Sequence, residues 1–143
     1  MNKLIYPVHE SLYFHNQVAH IVGHPRGYLR VDWLPTVMFS AALREVYECL
    51  LRALQDTRFG RVLSDHQHMP AIMPLDQDWL VQDWTPRAVQ QASYRRCAVI
   101  DSHDVYNRLG MSRVLGQLRT LKPLQVAHFQ DGPSAERWLL ANA

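Results

Sequence analysis

Asp76-Gln-Asp-Trp-Leu-Val-Gln-Asp-Trp-Thr-Pro-Arg-Ala-Val-Gln-Gln-Ala-Ser-Tyr-Arg-Arg-Cys-Ala-Val-Ile100 decides the fold. Leu80, Trp84 and Ala88 fall in one row at helical spacing, with Val81 and Ala92 beside it. Asp76 and Asp78 stand in the first turn after Pro74, where negative charge meets the positive end of the helix dipole. Pro86 leaves the carbonyl of Gln82 without its helical partner, so a bend is expected there. Cys97 to Ile100 is then an unbroken apolar run, as a central strand requires. The stretch reads as a helix entering a buried strand, one αβ unit.

Upstream, Gly23-His-Pro-Arg-Gly27 breaks two strand-like runs, 18–22 and 28–33, which predicts a hairpin. In the second run Leu29, Val31 and Trp33 alternate with Tyr28, Arg30 and Asp32, so one face is covered and the other is wet. Residues 6–10 and 12–15 are further candidates for edge pairing. A long amphipathic helix is expected from about Thr36, capped by its hydroxyl, to Thr57. Its buried row takes in Phe39, Ala42, Leu43, Val46, Leu50, Ala53 and Leu54. A short strand over 59–65 and a loop over 65–74 follow. Downstream, Ser102 is read as the cap of a helix that Gly110 breaks and Ser112 restarts. A strand over 124–129 and a short helix after Asp131-Gly-Pro133 close the chain. Strands first, then helix and strand in turn, predict one α/β domain over 1–143. Its mixed sheet opens with an antiparallel hairpin and carries helices mainly on one face.

The chain has 143 residues, enough for one core. A net charge of +2 with scattered arginines argues against a nucleic-acid surface. Arg95-Arg96 is the one adjacent basic pair and is read as a solvated loop end. No segment has the length and apolarity to span a bilayer, and the N-terminus has no signal-peptide pattern. Cys49 and Cys97 lack any CxxC partner and sit in apolar patterns, which fits free thiols in a cytoplasmic protein.

Several stretches together resemble the STAS-like (SpoIIAA-like) domains of bacterial anti-sigma-factor antagonists, and more closely the uncharacterised bacterial STAS-like proteins of this length. They are Tyr28-Leu-Arg-Val-Asp-Trp33, Trp79-Leu80, Trp84-Thr-Pro-Arg87, Arg96-Cys-Ala-Val-Ile100, and the ending with Phe129 and Trp138-Leu139. The resemblance implies a regulatory module that acts through protein contacts. In the regulated antagonists the loop after the central strand carries a phosphorylatable serine at a helix start. Here that loop reads His66-Gln-His-Met-Pro-Ala-Ile-Met-Pro74, with no serine or threonine, and Ser64 lies in the preceding strand. The scaffold carries over and the phosphate switch does not.

The residues expected to meet a partner or ligand are Met69, Ile72, Met73, Trp79, Asp83 and Arg87, with the loop's apolar residues as a lid. Trp84 is read as core from its helical row, and Asp83 and Arg87, four apart, as a surface pair. His66 and His68 could face one metal ion if the backbone is extended, yet a tight site needs a third and fourth ligand that the spacing does not supply. Ser102-His103-Asp104 is adjacency without convergence, so no catalytic residue is assigned. The leading expectation is a non-enzymatic interaction module, without a cofactor, for an unknown protein partner; a homodimer is compatible with it. An apolar-ligand binder comes second and a metal-dependent enzyme last.

Overall fold

The computed structural model describes residues 9–141. Strands β1 (Ser11–His15), β2 (Ala19–His24), β3 (Tyr28–Trp33), β4 (Arg61–Asp65), β5 (Arg96–Ile100) and β6 (Gln125–Phe129) form one sheet in sequence order. β1, β2 and β3 pair antiparallel, and β3 to β6 pair parallel. This is the expected mixed α/β sheet. The β2–β3 turn closes at Gly27, whose φ of 85° suits a residue without a Cβ. The edge pairing expected over 12–15 is β1, bulged between Leu12 and Phe14; most of 6–10 lies outside the described residues.

Parallel strands need crossovers, and these are helical. They are α1 (Ser40–Thr57), the run α2 (Pro74–Trp79), a π-turn (Leu80–Trp84) and α3 (Thr85–Ala92), and finally α4 (Val105–Leu118). All pack on the sheet face that carries Ile21, Leu29, Val31, Trp33, Val62, Cys97 and Val99, the main core. Helix α5 (Gly132–Leu140) covers part of the other face, where Leu139 and Ala135 meet Tyr28, Leu63, Ala98 and Ile100. Among the described residues no helix is long and apolar enough to cross a membrane.

Three local expectations are corrected, and the setting of Pro86 is refined. Helix α1 starts at Ser40 and not at Thr36. The Thr36 N–H turns back to the Leu34 carbonyl, and Phe39 is still extended, with ψ 134°; Phe39 is consequently outside the buried row. At Pro86 a π-turn stands just upstream, so the extra residue is absorbed there and Pro86 sits in the first turn of α3, where its missing N–H costs least. Gly110 does not break α4. A Cβ there would come within 2.6 Å of Gln77 Nε2, so glycine provides clearance between helices. The cap of α4 is Asp104, which accepts from Tyr106 and Asn107 N–H, while Ser102 donates to the Met69 carbonyl.

Arg96 is not solvated either. It is buried on the α5 face, lies 5.2 Å from the Trp138 ring centroid and donates to the Trp138 and Ala141 carbonyls. A cation on the last carbonyls of a helix satisfies groups the helix cannot.

Candidate functional site

The connections leaving β3, β4 and β5 all emerge at the carboxyl end of the parallel strands, and each carries exposed apolar residues around the start of its helix. Val37 and Phe39 precede α1, and Met73 and Leu75 flank the start of α2. Val105, Tyr106 and Leu109 open α4. All seven are 46% to 76% exposed. Ser40 Oγ donates to Asp76 Oδ1 at 2.7 Å, which ties the start of α1 to α2. Asn107 Nδ2 donates to the Pro70 carbonyl at 2.9 Å, and Gln77 packs on Gly110, which tie α2 and its loop to α4. These ties join the three helix starts, and the exposed apolar residues there form the crest, with Val105 and Leu109 on the flank of α4 toward His128.

The 66–74 loop that feeds the crest is anchored from below. Met69 and Ile72 are buried in the core, so of the expected apolar contacts in this loop only Met73 is on the surface. Its loop carbonyls are held by side chains: Met69 by Ser102, Pro70 by Asn107, and Ile72 by Gln77 Nε2 at 2.8 Å. Trp79 lies half-buried beneath the crest, with the Arg44 guanidinium 4.8 Å from its ring centroid. Arg44 also reaches Asp76 Oδ1 at 2.9 Å, while Asp76 Oδ2, equally buried, has no partner. Asp83 and Arg87 pair at 2.7 Å away from the crest. There Arg87 also makes a two-pronged bond to Glu48 at 2.9 and 2.6 Å, which raises its pKa.

His66 and His68 diverge. His68 is exposed, edge-on to His103 with centroids 5.6 Å apart. His66 is buried, and both its ring nitrogens are engaged. The roles follow from Asn107. Its Nδ2 donates to the Pro70 carbonyl at 2.9 Å, which turns Oδ1 toward His66 Nδ1 at 3.3 Å as an acceptor, so Nδ1 carries the proton. His66 Nε2 then accepts from the Ser64 hydroxyl at 2.9 Å, while Ser64 Oγ accepts from Trp33 Nε1–H at 3.0 Å. Burial holds the imidazole neutral, with its pKa lowered to about 4. The order serine, histidine, asparagine has the polarity of a nucleophilic triad. All three are buried, however, and no substrate carbonyl can approach Ser64. Among the described residues no group of three His, Cys, Asp or Glu side chains could hold a metal ion.

Ser64 and His66 also border an interior void of about 40 Å³ beside Trp84, Tyr94 and Cys97. Ligand sites take roughly 300–1,000 Å³, so this space admits only a few atoms. Burial pushes the Cys97 thiol up to about 11. The uncovered part of the α5 face carries a cleft of about 660 Å³ with three carboxylates. Each is already engaged: Asp32 by Arg30, Asp65 by Gln67, and Glu136 by Tyr28 and Arg26.

Sequence reasoning missed Asn107 and most of the crest. Asn107 gives no local signal, being 41 positions from His66. The crest could have been found as large apolar residues clustered at three helix starts, outside the periodic rows. No protein-family model, no curated protein and no solved structure matches the chain.

Proposed function

We propose that the chain is a non-enzymatic, STAS-like interaction module whose crest is covered by protein. The observation that carries this is the seven-residue apolar surface at the carboxyl end of the parallel strands. Large exposed apolar side chains gathered at one end of a domain are a mark of interaction sites.

The absence of chemistry at the same end supports the reading. The 66–74 loop has no hydroxyl side chain, and the Ser64 hydroxyl is spent inside the core. A phosphate switch on that loop has no acceptor. Two free, buried cysteines agree with work in the cytoplasm.

Site-specific photo-crosslinking in cells tests the proposal. A photoreactive residue at Leu75 or Tyr106 is expected to give a discrete protein adduct. The same residue at Gln91, exposed on α3, is expected to give none. Equal labelling from all three positions would count against the crest as a binding surface.

A further inference from the structure

We propose that the cleft at the amino end of the parallel strands is a binding site for a small phosphate-bearing anion, held by Arg61, Arg95 and Arg96. It lies at the other end of the sheet from the crest and does not depend on the reading of that surface.

Strand register builds the site. Arg61, Arg96 and Gln125 are the first residues of β4, β5 and β6. They are register neighbours, so their side chains form a row on the α5 face. Gly60, Arg95 and Pro123 complete the walls of a cleft of about 320 Å³. That is the lower end of the range for small-molecule sites, roughly 300–1,000 Å³. Its backbone is fixed: the N–H groups of Arg95 and Arg96 both donate to the Gly60 carbonyl, and Gln125 N–H donates to the Arg95 carbonyl.

The charge is of one sign. Three guanidinium groups line the cleft and no carboxylate does. Arg58, just before Gly60 in sequence, and Lys122, next to Pro123, are exposed cations that flank it along the chain. Among the described residues none of these five is in an ion pair. A cleft lined by one sign of charge concentrates its field and draws counter-ions.

Arg96 decides between a ligand site and a solvated surface. Exposed cations such as Arg95 need no ligand, but Arg96 is only 8% exposed. Its Nε donates to Gln125 Oε1 at 3.0 Å, and its Nη1 donates to the Trp138 and Ala141 carbonyls at 2.6 and 2.8 Å. Its Nη2 makes no hydrogen bond among the described residues, yet is not sealed from solvent. A buried charge is costly unless it is paired. The carbonyls at the end of α5 offset part of that cost, and an anion in the adjoining cleft supplies the counter-charge. Gln125, with its oxygen taken by Arg96, keeps its amide N–H groups for the same anion. Guanidinium groups match oxyanions through paired N–H donors. Three full positive charges favour a dianion, which near neutral pH is a phosphate monoester rather than a carboxylate.

Calorimetric titration of the full chain in chloride buffer at fixed ionic strength tests the proposal, with inorganic phosphate, glycerol phosphate and acetate as probes. The expected result is saturable binding of a phosphate probe at one site per chain, with acetate about tenfold weaker or more. Arg61→Gln and Arg95→Gln should each weaken binding about tenfold or more while keeping wild-type melting. Arg108→Gln, near the start of α4 at the other end of the sheet, should leave it unchanged. Tighter binding of glycerol phosphate than of inorganic phosphate assigns the site to an organic phosphate, and equal affinity assigns it to the free ion; both uphold the proposal. No saturation by about 10 mM of either phosphate probe overturns it. So does acetate binding as tightly as phosphate, or an equal loss in Arg61→Gln and Arg108→Gln, since the cations are then only diffuse surface charge.

Discussion

Ser64 Oγ lies 2.9 Å from His66 Nε2, and the bond is closed from behind by the Trp33 indole N–H at 3.0 Å. One hydroxyl thus satisfies a donor on β3 and an acceptor on the loop above β4. Ser64→Ala removes it and leaves both groups buried and unpaired. Such groups cost about 1–3 kcal/mol each. The adjoining void is polar on that side and large enough for a water that recovers part of the loss. Ser64→Ala is expected to lower the unfolding free energy by about 2 kcal/mol in urea titration. A loss under about 0.5 kcal/mol would show that the hydroxyl is not needed.

The same imidazole sets a pH dependence. Unfolded, His66 titrates near the ordinary imidazole value of 6.5; folded, near 4. Between those values only the unfolded chain takes up the proton. Stability is therefore full above pH 6.5, falls as pH drops toward 4, and loses nothing further to this group below that. The total is about 3 kcal/mol for a shift of this size. Other groups titrate too, so the contrast with His66→Gln isolates the effect. Wild type and variant melts, compared from neutral pH downward, should converge by that amount. Parallel curves would mean that the folded state protonates His66 as readily as water does.

Arg87 makes the densest ion-pair cluster at the surface of α3, joining Asp83 on the π-turn to Glu48 on α1. Its side chain is 32% exposed and its partners are more so. Solvent screens such pairs, and exposed ones contribute about 0–1 kcal/mol. Arg87→Ala is thus expected to cost no more than about 1 kcal/mol, fading in high salt. A variant that unfolds at room temperature would contradict this.

The legible parts of the sequence were those governed by short periods. The Leu80, Trp84 and Ala88 row is buried as its spacing implies, and the alternation in 28–33 does separate a core face from a wetter one. Parity did not carry over to His66 and His68, because the chain turns there and Met69 N–H donates to the His66 carbonyl. What stayed hidden depends on contacts between distant segments. The start of α1 is set where Ser40 meets Asp76, 36 positions on, and no cap signal marks it. Phe39 fits the helical row by spacing yet precedes the helix and faces out. Arg96 looks like a polar loop end until α5 returns to it from 42 positions away. Met73 is exposed as the apolar-lid reading expects, whereas Met69 and Ile72, read the same way, are buried. Leu75 and Leu109 were not legible as contacts, since apolar residues inside helices are read first as core.

Gly110 provides the sharpest test of packing between α2 and α4. In an isolated helix, glycine to alanine gains about 1 kcal/mol. Here the added methyl would stand 2.6 Å from Gln77 Nε2. Gln77 cannot move freely: its amide donates to the Ile72 carbonyl at 2.8 Å, and its oxygen accepts from Arg113 at 3.0 Å. Displacing it frees a buried carbonyl in the loop that supports the crest, a loss of about 1–3 kcal/mol that outweighs the propensity gain. Gly110→Ala is therefore expected to destabilise by about 1 kcal/mol net. In a Gln77→Ala background the carbonyl is already free and the clash is gone, so the same substitution should stabilise. Chemical denaturation of the two single variants and the double variant measures the cycle. If Gly110→Ala stabilises in both backgrounds, α2 and α4 do not pack as closely as the glycine requires.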